Sequence, residues 1–491
     1  MSKRPLIWLI TAFVLSHIIY YAIGVRFEET SLLTFAQYLD EELLKHNLLE
    51  SLLYLHSQPP LFNLFLGIVL KCSPSDPTLL FQSAYLVCGL VLYCALFFLQ
   101  VRMGVNKPLA FVISTAFMAS PFFIGYEHWL FYTLPVTAVL TLSGLLLLEF
   151  QEKKRFWYGF WFFFSLFVLA GIRSLFHISY FALIVVALVA LNWPDRRKVM
   201  LSALVPFVLI LSLYCKNLVL FGRFQTSSWL GIHTSRITIF NLSEQERKQL
   251  VSEGKLSKLA LIYRWSPLAQ FPPKYRDVHA YRDIPAVSQP IKSTGATNYN
   301  NLAYIAIAEQ YFKDSLQVVR YRPKAYLNGV MKSWLIYFTP HGYFGTLEAP
   351  PALSWLNRIY DTFFYGKIPV DMSKTGVLPF CLLPGYHVYL FLFLGLPFLL
   401  AYGLMLSLSR RSARAGLDRN RRVVILYLCV TIAFVAIPGN LLELTENNRY
   451  RFSTEPFSLV LLGLFIQLFV MPRLSRAFSK RRKAAPNDSN P

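Results

Sequence analysis

Residues Leu79–Leu99 read LLFQSAYLVCGLVLYCALFFL, a run without a single Asp, Glu, Lys or Arg. At 1.5 Å of rise per helical residue, about 20 such residues cross a hydrocarbon layer of roughly 30 Å. Four further stretches have the same character: Leu6–Val25, Trp129–Leu148, Leu175–Leu191 and Val388–Leu408. Five less pronounced ones follow the same pattern at Pro108–Tyr126, Phe156–Ile172, Met200–Tyr214, Val423–Ile437 and Phe457–Met471. The chain of 491 residues is 55% apolar and only 15% charged, against roughly 25% charged in soluble domains. Because the excess sits in blocks, the sequence predicts an all-α polytopic membrane protein with about ten transmembrane helices.

The net charge of +22 comes from 48 Lys and Arg against 26 Asp and Glu. A nucleic-acid binder would gather such charge on one face, but here it falls between spans. Lys3/Arg4, Arg102/Lys107, Lys153/Lys154/Arg155, Arg196/Arg197/Lys198, Arg410 through Arg422 and Arg473 through Lys483 occupy alternate connections. Cytoplasmic loops carry that excess, so ten spans with the amino terminus inside put every cluster, and both termini, in the cytoplasm. The first span lacks a small-residue cleavage site after it and reads as a retained helix, not a signal peptide. The six cysteines form no C-x-x-C pair, which predicts neither a disulfide framework nor a metal site. No P-loop or GxGxxG motif is present, so no nucleotide cofactor is expected.

The spans divide the chain into a seven-span core at 1–215, an outer domain at 216–385, three spans at 386–472 and a basic tail at 473–491. The core includes a first outer loop at 26–78. Within the outer domain, Asn298–Tyr326 reads as an amphipathic helix that stops near Pro323, and Tyr326–Phe338 as an interfacial segment. Neither repeat symmetry nor midplane charge is evident, and a secondary transporter often shows both. Polar residues gather at the outer ends of spans instead.

The first outer loop, FAQYLDEELLKHNLLESLLYLHSQPPLFNLFLG from Phe35, supplies Asp40, Glu41, Glu42, His56 and Gln58, with a leucine stripe between them. YEHWLFYTLP from Tyr126 adds Glu127 and His128, and GIRSLFH from Gly171 adds Arg173 and His177. LLELTENNRYRFSTEPF from Leu441 adds Glu443, Glu446, Arg449, Arg451 and Glu455. A carboxylate can take a proton from a hydroxyl nucleophile. Arginines can grip phosphate oxygens in a bidentate fork.

This succession of D-E, H-S-Q-P-P-L, Y-E-H-W-L-F-Y-T and E-N-N-R-Y-R-F-S-T-E-P resembles the GT-C glycosyltransferases. Nearest is the branch of the protein O-mannosyltransferases, the lipid A aminoarabinose transferases and the Rgt-type sugar transferases. The resemblance covers most of residues 1–215 and the final spans. It implies a GT-C-like fold, a polyprenyl-phosphate-linked sugar donor, inversion at the anomeric carbon, and a lipid, glycan or protein acceptor. It also implies a site on the periplasmic face of a bacterial inner membrane. Asp40, Glu41 and Glu127 then become candidate catalytic groups. His56, Gln58, His128, Arg173, His177, Arg449 and Arg451 become candidate substrate contacts. Each has a plainer alternative: the loop acids as solvated surface, His56 as a loop anchor, Glu127 as a turn anchor, Arg173 as an interfacial anchor. Likewise Arg449 and Arg451 can pair with Glu446 and Glu455, and His128 and His177 can be structural. A lipid or solute transporter and a non-catalytic scaffold are the competing functions.

Overall fold

A computed structural model describes residues 4–276, 280–340, 353–368, 388–409 and 416–476. Within them the chain is overwhelmingly helical, with one two-stranded antiparallel pairing of Lys367–Ile368 and Val388–Tyr389. The chain is an all-α membrane protein: seven helices are long and apolar enough to cross a bilayer. They are Arg4–Ala22, Thr78–Met103, Thr133–Lys153, Trp193–Phe221, Leu390–Leu408, Arg419–Leu442 and Asn447–Arg476. An eighth is a bent pair, Lys107–Met118 and Pro121–Glu127, broken by 59°. The sequence anticipates this segment as one span, but Pro121 cannot extend the helix before it. Ser120 restarts the chain instead, its side chain accepting a hydrogen bond from Phe123 N at 3.1 Å. Two further expected spans are helices of 17 and 14 residues, Phe156–Ile172 and Ile178–Leu191, shorter than a typical crossing of about 20.

The bundle is layered from the middle outward. Thr133–Lys153 and Arg419–Leu442 are the most buried spans, and Arg4–Ala22 lies at the edge with most of its side chains turned outward. At the ends carrying the basic clusters, Arg102 joins Glu149 and also reaches Glu152 at 2.5 Å, which ties Thr78–Met103 to Thr133–Lys153. The opposite ends carry the outer turns.

The outer domain has its own core of Trp229, Ile232, Tyr304, Ile307 and Tyr311. Its central helix is Ala303–Tyr321, shorter than the Asn298–Tyr326 stretch expected. Asn298, Asn300 and Asn301 spend their amides on the loop before the helix, as in Asn298 Nδ2 donating to Gln289 O at 2.9 Å, and so do not extend it. Pro323 opens a second helix, Pro323–Tyr337, which absorbs the expected interfacial segment and docks on the bundle through Ser333 Oγ to Asn440 O at 2.6 Å. The Leu230–Ile237 helix lies so close to Ala303–Tyr321 that a Cβ on Gly231 would sit 1.7 Å from Ala308 O. Residues 410–415 of the basic Arg410–Arg422 connection, most of the tail, Cys381 and the outer-domain stretches 341–352 and 369–387 lie outside the described residues. The other five cysteines are free thiols.

Candidate functional site

The Phe156–Ile172 helix ends where Arg173 turns to extended backbone, sending its side chain beneath the outer domain. That guanidinium is 4% exposed. Its carbon lies 4.2 Å from the Tyr450 ring centroid and 5.7 Å from that of Tyr132. Its Nη1 is buried with no hydrogen-bond partner among the described residues. Burying a charge is costly unless it is paired, so this atom is open to an anionic partner.

Arg449 enters from the start of the Asn447–Phe465 helix. Its guanidinium pairs with Glu446, stacks 4.5 Å from the Phe131 centroid and 5.2 Å from that of Tyr132, and reaches Thr133 Oγ1 at 3.4 Å. Two cations therefore bracket Tyr132. Burial pushes that phenol up, but Arg449 and Arg173 outweigh it and hold the hydroxyl below its ordinary value. Glu443, an acid that precedes the Asn447–Phe465 helix, is already committed. It pairs with His233 and lies 3.8 Å from Arg264, and Thr445 Oγ1 donates to it at 2.9 Å. Burial would raise Glu443, yet His233 and Arg264 draw it down to about 2. The result is a buried, cation-rich cluster packed among aromatic rings.

Arg451 points elsewhere. It donates to Tyr337 O and, at 2.8 Å, to Thr339 O, capping the end of the Pro323–Tyr337 helix, with Glu455 at 4.0 Å. With Glu455 it forms the polar end of a cavity of about 800 Å³ whose other walls include Phe391, Leu394 and Phe398.

Asp40 is 5% exposed and fully engaged. Its side chain caps the Glu41–His46 helix by accepting from Glu42 N at 3.0 Å, and binds Ser293 through N at 2.6 Å and Oγ at 2.5 Å. Beside it, Lys292 donates to Phe35 O at 2.8 Å, and burial pushes its ammonium down to about 8, against the pull of Asp40. Asp40 thus ties the first loop to the outer domain. Glu41 and Glu42 face outward and meet Lys45 at 2.7 and 3.3 Å. Acids in a first helical turn suit the dipole there.

His56 is buried, shares a 2.8 Å hydrogen bond with Ser228 Oγ, and lies edge-on to Phe221; its backbone N donates to Asn300 Oδ1. Burial pushes its imidazole down to about 3. Gln58 is buried two residues on. His177 caps the Ile178–Leu191 helix, accepting from Ser179 N at 3.2 Å. Glu127 is held 2.5 Å from His17 Nε2, with His128 turned to its own Ile124 O at 3.0 Å.

The structure thus brings Arg173 and Arg449 together and sets Asp40, Glu127, His56 and Arg451 at separate junctions. The cluster also contains Tyr132, Tyr450, Glu443, His233 and Arg264. Tyr132 and Glu443 stand inside quoted outer-turn sequences, where an aromatic or acid beside a buried arginine was a usable signal. His233, Arg264, His17 and Ser293 gave none, since each is defined by a partner far away in sequence.

No family model matches the chain, and comparisons with curated proteins and with solved structures find no match.

Proposed function

We propose that this chain is an integral membrane glycosyltransferase. It moves a sugar from a polyprenyl-phosphate donor to a lipid, glycan or protein acceptor on the extracytoplasmic face, with inversion. The fold is a GT-C-like arrangement of about ten membrane helices, and the setting is a bacterial inner membrane with the site on its periplasmic side.

The observation that carries the reading is Arg173 Nη1, buried without a hydrogen-bond partner among the described residues, on a guanidinium beside Arg449. Glycosyl transfer passes through an oxocarbenium-like state while negative charge grows on the departing phosphate. Preorganised cations in a buried cluster stabilise that charge without having to reorient. Arg173 and Arg449 take that role, and Tyr132 stands between them as a hydroxyl donor to the same oxygens. A carboxylate takes the acceptor's proton. Asp40 remains the first candidate, because it alone among the loop acids is buried and held. The test is transfer from a polyprenyl-phosphate sugar by the protein in nanodiscs, with an undecaprenyl phosphate binding assay beside it. Equal affinity for undecaprenyl phosphate and undecaprenol would sink the reading.

A multispan transporter is the second reading. One observation favours it, the His17–Glu127 pair inside the helical bundle, since intramembrane ionisable groups commonly mark transport paths. His17 lies about five residues from the Ala22 end of its helix, roughly 7.5 Å along the axis, near a boundary and not the midplane.

A further inference from the structure

The outer domain has a second charged cavity, of about 510 Å³. Ligand pockets commonly fall between ~300 and ~1,000 Å³, which is more than a lone phosphate needs. Arg236 on the Leu230–Ile237 helix and Arg247 and Lys248 on the Glu244–Ser252 helix supply its cations. Glu244 is its one carboxylate and is paired with Lys248 at 2.6 Å. Neither Arg236 nor Arg247 has an ion-pair partner among the described residues, and the Nε of each is buried without a hydrogen bond. Arg247 is fixed in place, donating from Nη1 to Ala260 O at 3.1 Å with its guanidinium 5.3 Å from the Phe240 ring. The Tyr263 ring stands 53% exposed at the rim, edge-on to Phe240 at 5.9 Å.

We infer that this cavity is a docking site for an anionic saccharide, with Arg236 and Arg247 binding its acidic group and Tyr263 stacking against a sugar ring. Two arginines without an ion-pair partner among the described residues suit an anion, which they can bind through charge-assisted hydrogen bonds. An exposed aromatic face beside them suits a ligand that is also ring-shaped and amphipathic. The polar Glu244–Ser252 helix, with Leu250 turned into the domain core, builds this wall.

The placement links the cavity to the arginine cluster. Arg236 lies one turn beyond His233 on the same helix side, and Tyr263 immediately precedes Arg264. His233 and Arg264 are the two side chains that hold Glu443. The helix that lines the cavity through Arg236 therefore also reaches Glu443 through His233. Resting on the glycosyltransferase reading, the inference names the acceptor class: an acidic glycan held next to the donor site.

The test is binding of fluorescent trigalacturonate and of its neutral counterpart, galactotriose, to the full chain in phosphatidylcholine nanodiscs. Trigalacturonate is expected to bind at least about tenfold more tightly, the scale of a lost charge-assisted hydrogen bond. Arg236→Gln and Lys248→Gln should each weaken it by roughly that factor or somewhat less. These two changes leave the Arg247–Ala260 tie intact. Tyr263→Ala should weaken both sugars. Equal binding of the two trimers, or wild-type affinity in the Arg236→Gln/Lys248→Gln double variant, overturns the proposal. So does equimolar competition by inorganic phosphate, or loss of trigalacturonate binding in phosphatidylglycerol nanodiscs, which reassigns the cations to lipid headgroups. Undecaprenyl phosphate binding in the same samples separates the two readings. If it is absent while trigalacturonate still binds selectively, the docking site stands and the donor assignment falls.

Discussion

The Arg173 guanidinium lies 4.2 Å from the centre of the Tyr450 ring, so a cation with one unsatisfied nitrogen is held against an aromatic face under the outer domain. A desolvated cation–π contact contributes about 2 kcal/mol and fixes the guanidinium without occupying Nη1. Arg173→Ala is therefore expected to weaken undecaprenyl phosphate binding tenfold or more, on the order of 1.5–3 kcal/mol, and to leave undecaprenol binding unchanged. Arg173→Lys should recover only part of the loss, because an ammonium lacks the planar fork. Undiminished phosphate affinity in Arg173→Ala removes this residue from the donor site.

Asp40 presents two roles that one pair of variants separates. Its carboxylate holds Ser293 and caps a helix, and a capping group of this kind contributes about 1 kcal/mol. If Asp40 is also the general base, Asp40→Asn lowers turnover by about 10²–10⁴, while Ser293→Ala lowers the melting temperature and leaves turnover nearly intact. If the two variants lose turnover to the same small extent, Asp40 is a tether and the base lies elsewhere. Glu41→Gln and Glu42→Gln, on the open surface, should do little in either measurement.

The long apolar runs made the membrane class legible, because hydrophobicity over about 20 residues is a local property. Bends were less so: the Pro108–Tyr126 run reads as one span, and its break at Pro121 went unread, while the Phe156–Ile172 helix keeps the bounds read from sequence and the Leu175–Leu191 run yields a helix only from Ile178. The turns that carry Glu127, Arg173 and Arg449 stood out as polar stretches between apolar runs. Which of their residues meet was not visible, since Arg173, Tyr132 and Arg449 come from three separate turns. The same distance hid the partners of Asp40 and Glu127, at Ser293 and His17.

Glu127 fits its place because Gly89 faces it. A Cβ on Gly89 would stand 1.7 Å from Glu127 Oε1. Gly89→Ala should therefore displace Glu127 from His17 and lower stability by roughly 1–3 kcal/mol, the usual cost of overpacking. Glu127→Gln should restore little of it, since the amide is the same size. A melting temperature in Gly89→Ala equal to wild type would mean that Glu127 is not held where the structure has it.

Topology is testable at two exposed sites on opposite ends of the bundle. In a cysteine-free background, Ser252→Cys in the outer domain should react with an impermeant maleimide added to intact cells, and Arg197→Cys in a basic connection only after permeabilisation. The basis is the placement of Arg196, Arg197 and Lys198. Labelling of both from the outside contradicts the orientation, and with it the extracytoplasmic site.

The junction between the first loop and the outer domain should also respond to acid, in two windows of known sign. His56 is buried and neutral, its imidazole pushed from its ordinary 6.5 down to about 3. The unfolded chain takes up this proton near pH 6.5 and the folded one does not. Stability is therefore full above pH 6.5 and falls as pH drops toward 3, by at most about 1.4 kcal/mol per unit for one proton. Glu443 behaves differently, because His233 and Arg264 draw it below its ordinary 4.5 to about 2. Its contribution is intact above pH 4.5 and is lost as pH falls through 2. Between pH 6.5 and 4.5 only the His56 term is active of the two. Melting curves in nanodiscs at half-unit steps should therefore slope downward there in wild type, and His56→Asn, which has no proton to take up, should lessen that slope while lowering the plateau through its lost packing. His128, which burial also draws down to about 4, keeps its share of the slope. Glu443→Gln should leave the slope above pH 4.5 alone and reduce it below. If His56→Asn keeps the wild-type slope from pH 6.5 to 4.5, the imidazole already titrates normally in the fold, and the buried Ser228 contact is not its resting state.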